Sequence, residues 1–153
     1  MFRYIPVALV ALTYAAVAHA DWVHRPSQAP DETGSAYVLS SQGQRLEIDC
    51  GSGEGWTLFF QPASRVLTKG NTARMQFRAD DRPAVTVPSE CDDGGCRDTW
   101  MLNDPARQSL MSALRAGKTL HISLGPTPLG SFSLAGSSAA LDRFAAASRC
   151  PGL

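Results

Sequence analysis

Four cysteines, at positions 50, 91, 96 and 150 of a 153-residue chain, constrain this fold more than any other feature, and the first twenty residues decide their chemistry. MFRYIPVALVALTYAAVAHA carries one positive charge at Arg3, an apolar run from Ile5 to Val17, and Ala18 and Ala20 on either side of His19. This is the order of a signal peptide ending in an A-x-A cleavage pattern, so residues 1–20 are expected to be removed after Ala20. The run is shorter than the roughly 20 apolar residues that a spanning helix needs. No second long apolar run follows, so no membrane span is expected after signal cleavage. Export, periplasmic or secreted, places all four cysteines in an oxidising compartment, where an even count reads as a disulfide framework.

Three pairings of four cysteines are possible. Cys91 and Cys96 enclose only Asp92-Asp93-Gly94-Gly95, and two glycines in so short a loop give the backbone freedom to bring the sulfurs together. That leaves Cys50 with Cys150, a bridge closing a loop of about 100 residues, worth roughly 4.7 kcal/mol in the chain-entropy account. A zinc site would show paired cysteine knuckles, whereas one C-x4-C with distant partners does not. Neither metal nor cofactor is expected.

Removal of the signal leaves a chain long enough for one domain with its own core. With Arg3 gone, the balanced 14 basic and 14 acidic residues become 13 against 14. Binding to nucleic acid through phosphates needs a basic surplus or stripe, and this chain offers neither.

Residues 21–35 (DWVHRPSQAPDETGS) form a polar leader, mobile or lying along an edge, and residues 36–153 a single domain. In RLEIDC, Leu46, Ile48 and Cys50 alternate with Arg45, Glu47 and Asp49, the period of a half-buried strand. After the turn GSGEG, the segment WTLFF puts Trp56, Leu58 and Phe60 on one face as its hairpin partner. ARMQFRA places Met75 and Phe77 inside and Arg74, Gln76 and Arg78 outside. PAVTVP is a further short strand with Pro83 and Pro88 at its ends.

In NDPARQSLMSALRAGK the spacing predicts a helix with Asp104 as N-cap, Pro105 in the first turn and a left-handed Gly117 at its end. Leu110, Met111 and Leu114 form its buried stripe, with Arg107, Gln108 and Arg115 in water. TLHISL follows as a strand with Leu120, Ile122 and Leu124 inside, leaving His121 and Ser123 outward or at an edge. GSFSLAG buries Phe132 and Leu134. SSAALDRFAAAS reads as a closing helix capped by Ser137 or Ser138, with Leu141 and Phe144 on its inner side.

The stretch CDDGGCRDTWMLNDPARQSLMSALRAGKTLHISLGPTPLGSFSLAGSSAALDRF, residues 91–144, resembles the C-terminal half of the invasion-associated locus B family of exported bacterial proteins. The shared features are a cysteine-bounded glycine hairpin, a short helix, the "ALRAGKTL" turn into a strand and an "AAL" ending. The resemblance implies a mainly β fold, an immunoglobulin-like β-sandwich with two short helices, stapled here by disulfides. It brings no catalytic residues. The tail FSLAGSSAALDRFAAASRC, with the early tryptophan and the EIDC strand, also resembles periplasmic accessory proteins of type VI secretion loci, which implies a different partner on a similar fold.

No enzyme is expected. The mature chain has two histidines, His24 in the leader and His121 on an outer strand face, and no Ser-His-Asp spacing stands out. Bridged cysteines offer no thiolate. Trp22, Trp56 and Trp100 read as core or rim packing rather than a sugar platform. The candidate partner-binding loop is Asp92, Asp93, Gly94 and Gly95, because a disulfide-closed hairpin is preorganised and its carboxylates suit a basic groove. The function expected is that of an exported, non-catalytic binding or envelope-accessory protein with a protein partner in the cell envelope. The alternative is a periplasmic lysozyme inhibitor acting through the Cys91–Cys96 loop, since some such inhibitors insert a loop of this C-x4-C size into the enzyme's cleft.

Overall fold

The structure, a computed structural model, describes residues 21–28, 34–51, 55–63, 70, 72–100, 104–148, 150 and 153. The expected signal peptide, the middle of the leader and the centre of the GSGEG turn lie outside the described residues. Those described build nine strands and two helices: β1 (Val23–Arg25), β2 (Ser35–Leu39), β3 (Arg45–Gly51), β4 (Gly55–Gln61), β5 (Thr72–Ala79), β6 (Val85–Cys91), β7 (Cys96–Asp98), α1 (Pro105–Ala116), β8 (Thr119–Leu124), β9 (Thr127–Ser133) and α2 (Ser137–Ser148). All nine strands join one antiparallel sheet in the order β1-β2-β3-β4-β7-β6-β5-β8-β9.

Alternation sets the two faces of this sheet. Leu46, Ile48 and Cys50 on β3, Trp56, Leu58 and Phe60 on β4, and Met75 and Phe77 on β5 all point into one core, which also takes in Leu110 and Leu114 of α1 and Leu141 and Phe144 of α2. Met75 and Phe77 are flanked by the small inward residues Ala73 and Ala79. Both expected disulfides are present, Cys50 with Cys150 and Cys91 with Cys96, at Cα separations of 5.7 and 4.1 Å. The first ties the chain just beyond α2 to β3.

Several local expectations are corrected. Of the two readings of the leader, the edge-lying one holds for its described part, since Val23–Arg25 pair with Ser35–Tyr37 as the edge strand β1, and Trp22 is buried. Pro88 does not end its strand, because β6 runs on to Cys91. The Pro88 carbonyl accepts from the Thr99 N–H, so its backbone faces the β7 side, just past the last β6–β7 pair at Ser89 and Asp98. A missing N–H there breaks no β5–β6 bond.

Helix α1 begins as expected, with the Asp104 carboxylate accepting from the Ala106 N–H at 2.8 Å and Pro105 in the first turn. Its end differs. Gly117 is extended, with φ −82°, and a Cβ there would lie 2.7 Å from Leu134 Cδ1 and 2.8 Å from the Ala113 carbonyl, so close approach rather than left-handed backbone calls for glycine. Ser137 opens α2 without capping it. It is buried, and its hydroxyl donates to the Leu114 carbonyl at 2.7 Å, fastening α2 to the last turn of α1. Arg107, expected in water, is 2% exposed, with its guanidinium 4.6 Å from the Trp56 ring centre.

The sheet curls until its two ends meet. At the bulge in the β8–β9 ladder, register passes from Ile122 opposite Gly130 to Ser123 opposite Pro128, leaving Leu129 as the extra residue. The carbonyl of Leu129 accepts from the Gln44 side-chain amide, reaching over from the turn before β3. Farther along, the Ser133 carbonyl accepts from the Trp22 indole N–H at 3.0 Å. Across the core, Phe60 of β4 meets Phe132 of β9 edge to face, with ring centres 6.2 Å apart. Gly130 makes the approach possible, since a Cβ there would sit 2.3 Å from Gln44 Oε1.

Gly130→Ala is therefore expected to displace the Gln44 amide and destabilise the fold by about 1–3 kcal/mol, the range for a buried polar group losing its partner. Gln44→Leu should have a similar effect. Denaturant unfolding of both and of the double variant should show strongly non-additive losses, because both remove one contact. Additive losses would contradict this reading.

Candidate functional site

The acidic hairpin joins β6 to β7. Cys91 and Cys96 are directly paired across the ladder as well as bridged, and Asp92, Asp93 and Gly94 are exposed beyond them. The two aspartates, alike in sequence, differ in structure. Asp92 is built into the turn: its N–H donates to the Gly95 carbonyl at 2.8 Å, and its Oδ1 accepts from the N–H groups of Gly94 at 2.7 Å and Gly95 at 3.1 Å. Asp93 stands at the exposed tip. Gly95 has φ +151°, and a Cβ there would lie 2.4 Å from the Phe60 carbonyl and 2.9 Å from the Phe59 ring. Only glycine lets the hairpin lie this close to β4.

Next along the strand, Arg97 is already engaged. Its Nη1 reaches Asp49 at 2.9 and 3.0 Å and Thr57 Oγ1 at 2.8 Å, and its guanidinium lies 5.4 Å from the Phe59 ring centre. On the same outward face, Arg45 holds Glu47 at 3.0 Å and stacks 4.5 Å from the Tyr37 ring centre, while Arg25 reaches Glu47 from β1. Beyond these pairs, Asp92 and Asp93 lie exposed on the hairpin. Behind them, Asp98 accepts from the Leu58 N–H. Burial pushes its carboxyl up from the usual value, opposed by that backbone bond and by the Arg107 and Arg97 guanidiniums.

The other residues singled out in the sequence lie elsewhere. His121 is exposed on β8, with Nδ1 2.8 Å from Ser131 Oγ. In a hydrolytic triad the serine faces Nε2 and a carboxylate holds Nδ1; here Nδ1 faces the serine. His24 is partly covered on β1, 6.3 Å from the Phe144 ring centre. Trp22 and Trp56 are core, and Trp100 packs edge-on against Trp56 at 6.1 Å. The hairpin therefore brings Asp92, Asp93, Gly94 and Gly95 together but brings neither histidine to them.

Arg107 was hidden from composition-based reasoning but not from periodicity. Positions 107, 110, 111 and 114 are one helical stripe, and all four are buried. Among the described residues, no cluster of three or more His, Cys, Asp or Glu could hold a metal ion, and no helix is long and apolar enough to cross a membrane.

Fold and site together define a disulfide-stapled, mainly β protein with one antiparallel sheet, two packed helices and an acidic cysteine-closed hairpin. The YfjT family model matches residues 22–141, and the chain belongs to that family. No curated protein and no solved structure matches it. The matched model names neither the invasion-associated locus B family nor a type VI secretion accessory protein.

Since Asp92 organises the turn through Oδ1, Asp92→Ala should speed hydrogen exchange at the Gly94 and Gly95 amides, with a local loss of about 0.5–1.5 kcal/mol. Asp92→Asn keeps the acceptor and should preserve most protection. Equal exchange in the two variants would contradict the assignment.

Proposed function

We propose that this YfjT-family chain is an exported, non-catalytic binding protein of the cell envelope, and that its acidic hairpin contacts the basic surface of a protein partner. The observation that carries this reading is the hairpin's construction. The Cys91–Cys96 bridge, the Asp92 turn and the close seat of Gly95 on β4 hold it in one shape before any partner arrives. Preorganisation lowers the ordering cost of binding, and projecting charge favours encounter with a basic surface. Two disulfides suit an oxidising compartment, periplasmic or secreted, in keeping with the signal-like first twenty residues.

The resemblance to invasion-associated locus B proteins and to type VI accessory proteins supports an envelope role on a sandwich-like fold. The edge-to-face contact of Phe60 and Phe132 supports the sandwich reading, since it sets one half of the curled sheet against the other. The alternative of lysozyme inhibition is favoured by one feature, a four-residue loop between bridged cysteines with two exposed aspartates.

Capture from envelope extracts should compare the mature protein with Asp92→Asn/Asp93→Asn and with Cys91→Ser/Cys96→Ser. The expected result is a basic partner retained by the wild type, weakened by charge removal most strongly at low salt, and weakened separately by opening the ring. Identical capture by all three would contradict the hairpin's role. In parallel, stoichiometric inhibition of lysozyme turnover, lost in the same variants, would select the alternative.

A further inference from the structure

A second surface lies toward the other end of β5 from the hairpin. The turn joining β2 to β3 stands over the outward face of β5, β8 and β9, and between them is a cleft of about 650 Å³, within the range of small-ligand sites. Strand register sets its floor. Arg78 of β5 is opposite His121 of β8, and His121 is opposite Ser131 of β9, so three polar side chains form one row across three strands. One step along β5, Gln76 is opposite Ser123, making a second polar row. The Leu129 bulge separates β9 from regular pairing at this point, and the Gln44 amide holds the turn in place over the cleft.

The charge content of the cleft is specific. The Arg78 side chain is exposed and makes no ion pair or hydrogen bond among the described residues, none of which lines the cleft with a carboxylate. Asp80 and Asp81 belong to the neighbouring hollow on the far side of Arg78 and His121. The Asp80 carboxylate is occupied there by the N–H groups of Thr119 and Lys118, which hold it below the usual carboxylate range. His121 is oriented by Ser131 through Nδ1, which turns Nε2 away from the serine.

We infer that this cleft binds a monocarboxylate that also carries neutral hydrogen-bonding groups, the chemistry shared by a sugar acid and a peptide C-terminus. The Arg78 guanidinium takes the carboxylate, in the geometry that arginine and carboxylate share. Gln76, His121, Ser123 and Ser131 supply hydrogen-bonding partners to hydroxyl or amide groups. Among the described residues Arg78 is the one Arg or Lys lining the cleft, which suits one carboxylate better than a phosphate monoester carrying nearly two charges.

The test is a titration of the full mature chain, followed by NMR, with glucuronate in one arm and N-acetyl-dialanine in the other. Saturable shifts at Arg78, His121 and Ser131 from one ligand are expected, and the arm that responds identifies the source of the carboxylate. Arg78→Gln should weaken binding by about tenfold or more, as should converting the ligand's carboxylate to its amide. Arg78 is an exposed, unpartnered side chain, so the variant should keep the wild-type fold, which its own spectrum verifies. Absence of saturable shifts in both arms, unchanged affinity in Arg78→Gln, or tighter binding of glucose 6-phosphate at the same residues would each overturn the inference.

Discussion

Two side-chain hydrogen bonds close this fold: the Trp22 indole to the Ser133 carbonyl, and the Gln44 amide to the Leu129 carbonyl. A nine-stranded sheet that curls on itself must either continue its backbone ladder around the ring or leave two edges open. Here β9 is one edge, and its carbonyls are taken by side chains from the other end of the sheet. The bulge at Leu129 turns one of these carbonyls out of the β8 ladder, and Gly130 clears the space that Gln44 occupies. Core and cleft both depend on this closure, since it brings Phe132 against Phe60 and sets the turn before β3 over β8 and β9.

The helices and disulfides add a second level of constraint. α2 is held at one end by Ser137 on the last turn of α1 and at the other by the Cys50–Cys150 bridge to β3. Buried Arg107 lies between the helical layer and Trp56, and its charge is felt at Asp98 under the hairpin strand. The interior of this end of the molecule is therefore partly ionic, and the same region carries the Cys91–Cys96 hairpin outside. Rigidity beneath the hairpin and preorganisation within it have a common origin in β4, β6 and β7.

Much of this was legible in the sequence because a period of two is a local signal. The inward sets of β3, β4, β5 and β8 follow from alternation, and both cysteine pairs follow from loop size and elimination. The misses share a cause, which is that the deciding partner is distant in sequence. Trp22 lies in a polar segment, and only Ser133, 111 residues away, explains its burial. Gly117 ends α1 as its position suggests, but crowding by Leu134 and Ala113, not a left-handed backbone, is what calls for glycine. Arg107 reads as a water-facing residue by type, although its place in the stripe with Leu110, Met111 and Leu114 points inward. Of the candidate loop, position and closure were readable. The unequal roles of Asp92 and Asp93 were not, since nothing local distinguishes two adjacent aspartates.

The family match begins at Trp22, the residue that seals the β9 edge. The central structural claim is that this side-chain seam, rather than a continued ladder, closes the sheet. Hydrogen exchange at the Trp22 indole N–H, followed by NMR beside the amides of β5, tests it most directly. The structure predicts that the indole proton is protected and opens together with the core strands. Exchange at the rate of a free indole while β5 stays protected would show that the seam is open in solution, and would contradict the account.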